Sequence, residues 1–76
     1  MNAARRRQIA EANRLLIAAR EMLAEAAEAE REYLENMPEN MKEGERATRA
    51  EEVADNLDNI VSSLEDHESE LDDVAA

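Results

Sequence analysis

The sequence contains no cysteine, phenylalanine or tryptophan, and it has a single tyrosine, a single glycine and a single proline. The absence of cysteine excludes disulfides, thiol catalysis and cysteine-based metal sites. No stretch approaches the roughly 20 consecutive apolar residues that a membrane-spanning helix needs, and no signal peptide is visible. We therefore expect a cytoplasmic protein that does not contact membranes.

The length of the chain argues against an enzyme. Seventy-six residues fit a single domain, residues 1–76. A domain of this size buries only about 60% of its unfolded surface, so a pocket deep enough for catalysis would consume most of its core. Ser62, Ser63 and Ser69 have no second histidine or cysteine to organise a nucleophile and its base. The sequence thus predicts a non-enzymatic protein without a cofactor.

Apolar residues recur at helical spacing through both halves of the chain. In the first half, a set of apolar residues is separated by alternating steps of three and four residues, as in a heptad seam. Leu15, Met22 and Leu34 lie beside this seam and widen it. The first set is Ile9, Ala12, Leu16, Ala19, Leu23, Ala26, Tyr33 and Met37. The second set is Ala50, Val53, Leu57, Ile60, Leu64, Leu71 and Val74, with His67 in the same seam and Ala54 and Val61 beside it. Stripes this wide predict helices that each face more than one neighbour.

The two helices are predicted to be separated by a turn at Pro38, because proline lacks the helical donor and disfavours helical geometry at the residue before it. The expected elements are a helix over about 4–36, a turn over about 37–44 and a helix over about 45–73. Two signals compete for the start of the second helix. Gly44 is an acceptable N-cap, whereas Thr48 and Glu51 match a capping box. We favour the start near Gly44.

Charge predicts an antiparallel arrangement. Residues 1–20 contain five arginines and one glutamate, whereas residues 50–76 contain ten carboxylate residues and no lysine or arginine. An antiparallel hairpin sets the basic start against the acidic end, although exposed ion pairs of this kind contribute only about 0–1 kcal/mol each. The predicted register pairs Ile9 with Leu71, Leu16 with Leu64, Leu23 with Leu57, and Glu30 with Ala50 near Arg46 and Arg49.

A lone hairpin of two helices about 45 Å long would have too little interior. The sequence therefore predicts an all-α, coiled-coil-like antiparallel hairpin that forms a homodimeric four-helix bundle, since two-fold dimers are the commonest oligomers. A different partner protein on the same face is the alternative. The predicted oligomer or partner interface is Ile9, Leu16, Leu23, Tyr33, Leu57, Ile60, Leu64 and Leu71.

Two small clusters invite a more specific interpretation. Arg5, Arg6 and Arg7 could contact phosphate, but no other basic face and no stacking aromatic accompany them, so we expect these arginines to meet the acidic carboxyl-terminal stretch and predict no direct nucleic-acid binding. His67 lies among carboxylates that could hold a divalent cation. A lone histidine in a seam is more often a packed polar residue, so we predict no metal site.

A row of carboxylates marks the second helix. It consists of Glu51, Glu52, Asp55, Asp58, Glu65, Asp66, Asp72 and Asp73. The simpler interpretation is a solvated face that keeps the protein soluble. The functional alternative is mimicry of DNA, in which regularly spaced anions occupy the basic groove of a host nuclease or another nucleic-acid-binding protein.

The segment from Tyr33 to Asn40, then Gly44-Glu45-Arg46 and a ladder of aliphatic residues, carries a resemblance. The ladder is Leu57, Ile60, Leu64 and Leu71. The chain resembles short acidic proteins of phage and prophage genomes over roughly its last 45 residues, although those proteins commonly have serine where this chain has Gly44. The resemblance implies a phage origin, and hence the host cytoplasm, but implies no activity and no catalytic residue. We predict a non-enzymatic, acidic helical module for protein–protein interaction, with the DNA-mimic inhibitor as the alternative.

Overall fold

The computed structural model describes all 76 residues as two long α-helices joined by a short connection. Helix α1 spans Ala3–Glu35, helix α2 spans Glu45–Ala75, and a single 3-10 turn, Glu39–Met41, lies between them. The two helices pack against each other along their length in opposite directions. The predicted all-α antiparallel hairpin is therefore confirmed. The hairpin is a rod of 59 × 14 × 13 Å.

The helix ends follow local hydrogen bonding. The Asn2 side chain accepts a hydrogen bond of 2.8 Å from the backbone N–H of Arg5, which satisfies one of the free donors at the start of α1. Gly44, in an extended conformation, directly precedes α2, and the Thr48 hydroxyl donates to the Gly44 carbonyl at 3.2 Å. Thr48 is thus inside α2 and does not cap it. Helix α1 begins and ends one residue earlier than expected, and α2 begins where expected but ends two residues later.

The contact between the helices, which we call the inner seam, contains most buried and half-buried residues. They recur at alternating steps of four and three, as expected for two helices packed along their length. In α1 the inner seam is Ile9, Asn13, Leu16, Arg20, Leu23, Ala27, Glu30 and Leu34. In α2 it is Ala47, Ala50, Ala54, Leu57, Val61, Leu64, Glu68, Leu71 and Ala75.

About half of the predicted seam positions are wrong. The predicted seam shares residues such as Leu16 and Leu64 with the observed one, but its remaining positions mostly lie one residue too early. Ala12, Ala19, Ala26, Ile60, His67 and Val74 are exposed. The prediction chose an apolar residue wherever one was available. The structure instead places Asn13, Arg20 and Glu68 between the helices, where Asn13 donates to the Glu68 carbonyl and Arg20 to the Glu68 carboxylate.

The register also differs from the predicted one. The Asn13 side chain donates to the Glu68 carbonyl and to Asp72, whereas the predicted register places residue 67 opposite it. Because the asparagine side chain is short, residues 68–72 lie opposite it, one to five residues beyond the predicted position at this end of the rod. Glu30 and Ala50 line the same groove near the turn, as the predicted register requires at that end.

The small core lies towards the turn end of the rod. Six of 76 residues are buried, and five of them are apolar: Ala27, Met37, Ala47, Ala50 and Ala54. No large side chain is fully buried. Alanines permit close approach of two helix backbones, but they bury little apolar area per residue. The leucines and the single isoleucine further along the inner seam are only partly buried.

Candidate interaction surfaces

One side of the hairpin is held by ion pairs between the helices. The Arg20 guanidinium donates two hydrogen bonds, of 2.8 and 3.1 Å, to the Glu68 carboxylate, and Arg31 donates to Asp58. These hydrogen bonds raise the pKa of Arg20 and the pKa of Arg31, and desolvation opposes them only in part. Both arginines stay charged at any physiological pH, so this side is already occupied by partners within the chain.

The opposite side of the inner seam carries apolar side chains that face solvent. In α1, Leu15 is 56% exposed, Met22 69% and Tyr33 47%. Exposed alanines lie between these three residues, and together they form one stripe whose members recur at steps of four and three residues along α1. This spacing is typical of a helix surface that packs on a neighbouring helix. The stripe is Leu15, Ala19, Met22, Ala26, Ala29 and Tyr33. In α2, Ile60 and Val74 are exposed, and they belong to a seven-residue series with Val53 and His67.

Two grooves show that the exposed stripes of α1 and α2 lie on one side of the hairpin. Near the turn, Tyr33 lines a groove of about 320 Å³ with Arg46 and Arg49. At the open end, Leu16 lines a groove of about 430 Å³ with His67 and Val74. Positions 46, 67 and 74 all belong to the same seven-residue series of α2. We call the combined surface the outer apolar face: Leu15, Ala19, Met22, Ala26, Ala29, Tyr33, Ile60 and Val74.

The residues predicted to form an interface divide between the two apolar surfaces. Tyr33 and Ile60 are exposed and belong to the outer apolar face. The other six are half-buried in the inner seam: Ile9, Leu16, Leu23, Leu57, Leu64 and Leu71. The prediction did not include Leu15 and Met22 among the interface residues. Their spacing with the alanines and Tyr33 was the signal for a second continuous stripe.

All eight residues of the predicted acidic row are exposed, and we call the surface that they form the acidic face. Three have partners: Asp58 pairs with Arg31, Glu52 with Arg49 at 3.7 Å, and Asp72 accepts a hydrogen bond from Asn13. The other five form no ion pair: Glu51, Asp55, Glu65, Asp66 and Asp73. From residue 51 to residue 73 the helix rises about 33 Å.

The remaining clusters form no organised site. Arg5, Arg6 and Arg7 are exposed and pair with no carboxylate, so the expected contact with the acidic stretch is not formed. His67 lines the open-end groove beside Glu70, and nowhere are three acidic or histidine side chains grouped to hold a metal ion. In neither helix is there an apolar stretch of the length and hydropathy that a membrane crossing requires.

No protein-family model matches the chain, and neither a curated protein nor a solved structure matches it. The resemblance to phage proteins therefore stays a prediction.

Proposed function

We propose that the protein is a non-enzymatic helical module for protein–protein interaction that works as a homodimer. The observation that carries the proposal is the outer apolar face, which runs along the rod from Leu15 to Tyr33 without a charged residue in its α1 stripe. Contiguous exposed apolar surface on a small protein marks an interaction site. Covering this face with a second hairpin gives a four-helix bundle.

The surface area of the hairpin supports a partner of about its own size. A compact monomer of 8.6 kDa is expected to expose about 4700 Å², whereas the hairpin exposes 5703 Å². The excess of about 1000 Å² is comparable to the roughly 800 Å² that each partner contributes to a standard interface. The radius of gyration, 17.3 Å, also exceeds the about 11 Å of a compact 76-residue domain.

The test is sedimentation equilibrium of the wild-type chain and of two variants with one added charge. Met22→Glu places a carboxylate in the centre of the outer apolar face, and Asn59→Glu places the same carboxylate on the outward side of α2. Both residues are exposed in the single hairpin, so neither substitution disturbs a contact between its two helices. We expect Met22→Glu to weaken the dimer by about 100-fold or more and Asn59→Glu by less than about threefold.

A wild-type chain that stays monomeric at every concentration contradicts the proposed homodimer. The outer apolar face would then be vacant in the isolated chain and would belong to a different protein partner. Equal weakening by both variants would show that general charge repulsion controls association, and not the outer apolar face.

Mimicry of DNA is a second candidate, favoured by the five unpaired carboxylates of the acidic face. They lie on the opposite side of the bundle from any apolar contact, so a dimer would present them on its outside. A dimer carries −22, twice the −11 of one chain. Such a surface attracts basic proteins in a salt-dependent way. The phage origin implied by the resemblance would give this activity a host target, a nuclease or another nucleic-acid-binding protein in the host cytoplasm.

The mimicry proposal is tested by capture of basic DNA-binding proteins from a bacterial lysate, with duplex DNA as the competitor. The matched variant replaces the five unpaired carboxylates with amides: Glu51→Gln, Asp55→Asn, Glu65→Gln, Asp66→Asn and Asp73→Asn. We expect capture to be lost in the variant, at high salt and with excess DNA. Capture that is indifferent to all three treatments would refute mimicry and leave the acidic face as a solubilising surface.

A further inference from the structure

We propose that the two hairpins of the dimer lie face to face with their turns at opposite ends, so that α1 packs on α1 of the partner and α2 on α2. This inference rests on the proposed homodimer. Two hairpins that cover the same face with a two-fold axis have two choices. One axis lies across the rods and puts the turns at opposite ends. The other runs along the rods, puts the turns at the same end and packs α1 on α2.

The α1 stripe matches its own reversed copy. Around a centre at Ala24, residues at equal distances on either side are complementary in size or are both apolar. The resulting pairs across the axis are Leu15 with Tyr33, Ala19 with Ala29, and Met22 with Ala26. Large side chains thus meet smaller or flatter ones, as packed helix surfaces require, and all of these positions are exposed in the single hairpin.

The exposed flank of α2 matches its own reversed copy in charge and polarity. Around a centre near Ile60, cations lie towards the turn, at Arg46 and Arg49, and the carboxylate Glu70 lies towards the open end. Reversal brings Arg49 of each copy next to Glu70 of the other. It also brings Asn56 next to Ser63, whereas Ile60 meets Ile60 at the axis. The flank at positions 49, 56, 63 and 70 thus pairs polar groups with polar ones and opposite charges with each other. In the series that contains Ile60, the same reversal sets Val53 against His67 and Arg46 against Val74.

The two centres lie at the same height along the rod. Asn13 contacts residues 68 and 72 of α2, so Ala24, eleven residues further along α1, lies opposite residues 57–61. That interval contains Ile60. One two-fold axis therefore satisfies the α1 pattern and the α2 pattern together.

The alternative axis gives a poorer match of charge. With both turns at the same end, each α1 stripe lies on α2 of the partner at its own height. Since Asn13 contacts residues 68 and 72, Met22 then lies opposite residues 59–63, an interval that contains Ile60 as well as Ser63. The apolar match is therefore similar, but Arg49 and Glu70 of the two copies lie far apart and do not pair. Both acidic carboxyl-terminal stretches would also lie at one end of the bundle.

Disulfide trapping tests which helices meet. In the opposite-ends dimer, the two copies of an Ile60→Cys variant face each other at the axis, within reach of a disulfide. In the same-end dimer, the two α2 helices are diagonal neighbours and too far apart. Ser69→Cys, exposed on the outward side of α2, is the matched control. We expect oxidation to trap most Ile60→Cys chains as covalent dimers and few Ser69→Cys chains.

Charge exchange gives an independent readout by sedimentation equilibrium. Arg49→Glu alone and Glu70→Arg alone should each weaken the dimer about tenfold, since each creates two like-charge contacts, and the double variant should recover most of that loss. In the same-end dimer these residues are remote, and no recovery is expected. A dimer without trapping or recovery overturns this arrangement alone. A wild-type monomer overturns the proposed homodimer and the arrangement with it.

Discussion

Asn13 is the one polar residue buried in the inner seam, where 4% of its surface is exposed. Its side-chain nitrogen donates to the Glu68 carbonyl at 3.1 Å and to Asp72 at 3.2 Å, while its side-chain oxygen has no partner. A buried polar group of this kind favours one register, because every other register leaves its donors unpaired.

Replacement of this residue separates its hydrogen bonds from its size. Asn13→Asp keeps the shape but places a carboxylate against a carbonyl and the carboxylate of Asp72, so we expect the free energy of unfolding to fall by about 2 kcal/mol or more. Asn13→Leu removes the unpaired oxygen and should cost less than Asn13→Asp. Chemical denaturation at neutral pH measures both. Equal losses in the two variants would mean that the loss of the amide's hydrogen bonds sets the cost and that the added carboxylate contributes nothing.

Glu11 and Arg14 form an exposed ion pair on α1, with hydrogen bonds of 2.6 and 2.9 Å. The hydrogen bonds from Arg14 lower the pKa of Glu11 below its ordinary value of 4.5, against an opposing effect of desolvation. A lowered carboxyl pKa stabilises the fold above the unfolded pKa, and this contribution is lost as pH falls through the folded value. NMR titration should give a pKa below 4.5 for Glu11 and a higher one in Arg14→Gln; no change in that variant would contradict the assignment.

At the scale of the elements, α2 begins without a side-chain cap. Gly44 has φ −83° and ψ 176°, which any residue adopts, and an added Cβ would meet the Met41 carbonyl oxygen at 3.4 Å, an ordinary contact. Gly44→Ser should therefore stabilise the hairpin by about 0.5–1 kcal/mol, because the hydroxyl caps the helix and the unfolded chain loses freedom. Thermal unfolding measures the gain, and Gly44→Ala, which has no hydroxyl, should give a smaller one.

The small residues near the turn define how closely the helices approach. Ala50 is 3% exposed between α1 and α2, so Ala50→Leu must force the helices apart. We expect a loss of about 1–3 kcal/mol, typical of overpacking. Ala18→Leu, at an exposed position of α1, should be nearly neutral in chemical denaturation. If Ala50→Leu is neutral as well, the turn end of the rod is looser than its buried alanines indicate.

Periodicity and turn chemistry predicted the two helices, their antiparallel order and the break at Pro38. They did not predict which stripe faces the other helix. Apolar residues in α1 fill two adjacent stripes, so helical spacing alone fits both of them. Because Ala12 is apolar and Asn13 is polar, the sequence favours Ala12 as the residue that faces the other helix. The choice depends on pairing between helices: Asn13 and Arg20 lie inward because Glu68 lies opposite. Tertiary pairing of this kind leaves no trace in the spacing of one helix.

At the scale of the whole molecule, the rod separates its surfaces by direction. Ion pairs close one side of the inner seam, the outer apolar face covers the other, and carboxylates occupy the outward side of α2. Only the ion-paired side is complete within one chain. Association and the acidic face therefore use different surfaces, so a dimer formed through the apolar side leaves the five unpaired carboxylates of the acidic face accessible.

The stability of such a rod should depend on protein concentration. Six buried residues provide little apolar burial against the conformational entropy of 76 residues, so the proposed dimer would add much of the folding free energy through the surface that a second hairpin covers. For a protein that folds and dimerises together, mass action raises Tm with chain concentration. We expect Tm measured by circular dichroism to rise by several degrees over a hundredfold increase in concentration, and Met22→Glu to abolish the rise. A Tm that is independent of concentration in the wild type would mean that the alanine-lined turn end and the ion pairs suffice to hold a single hairpin together.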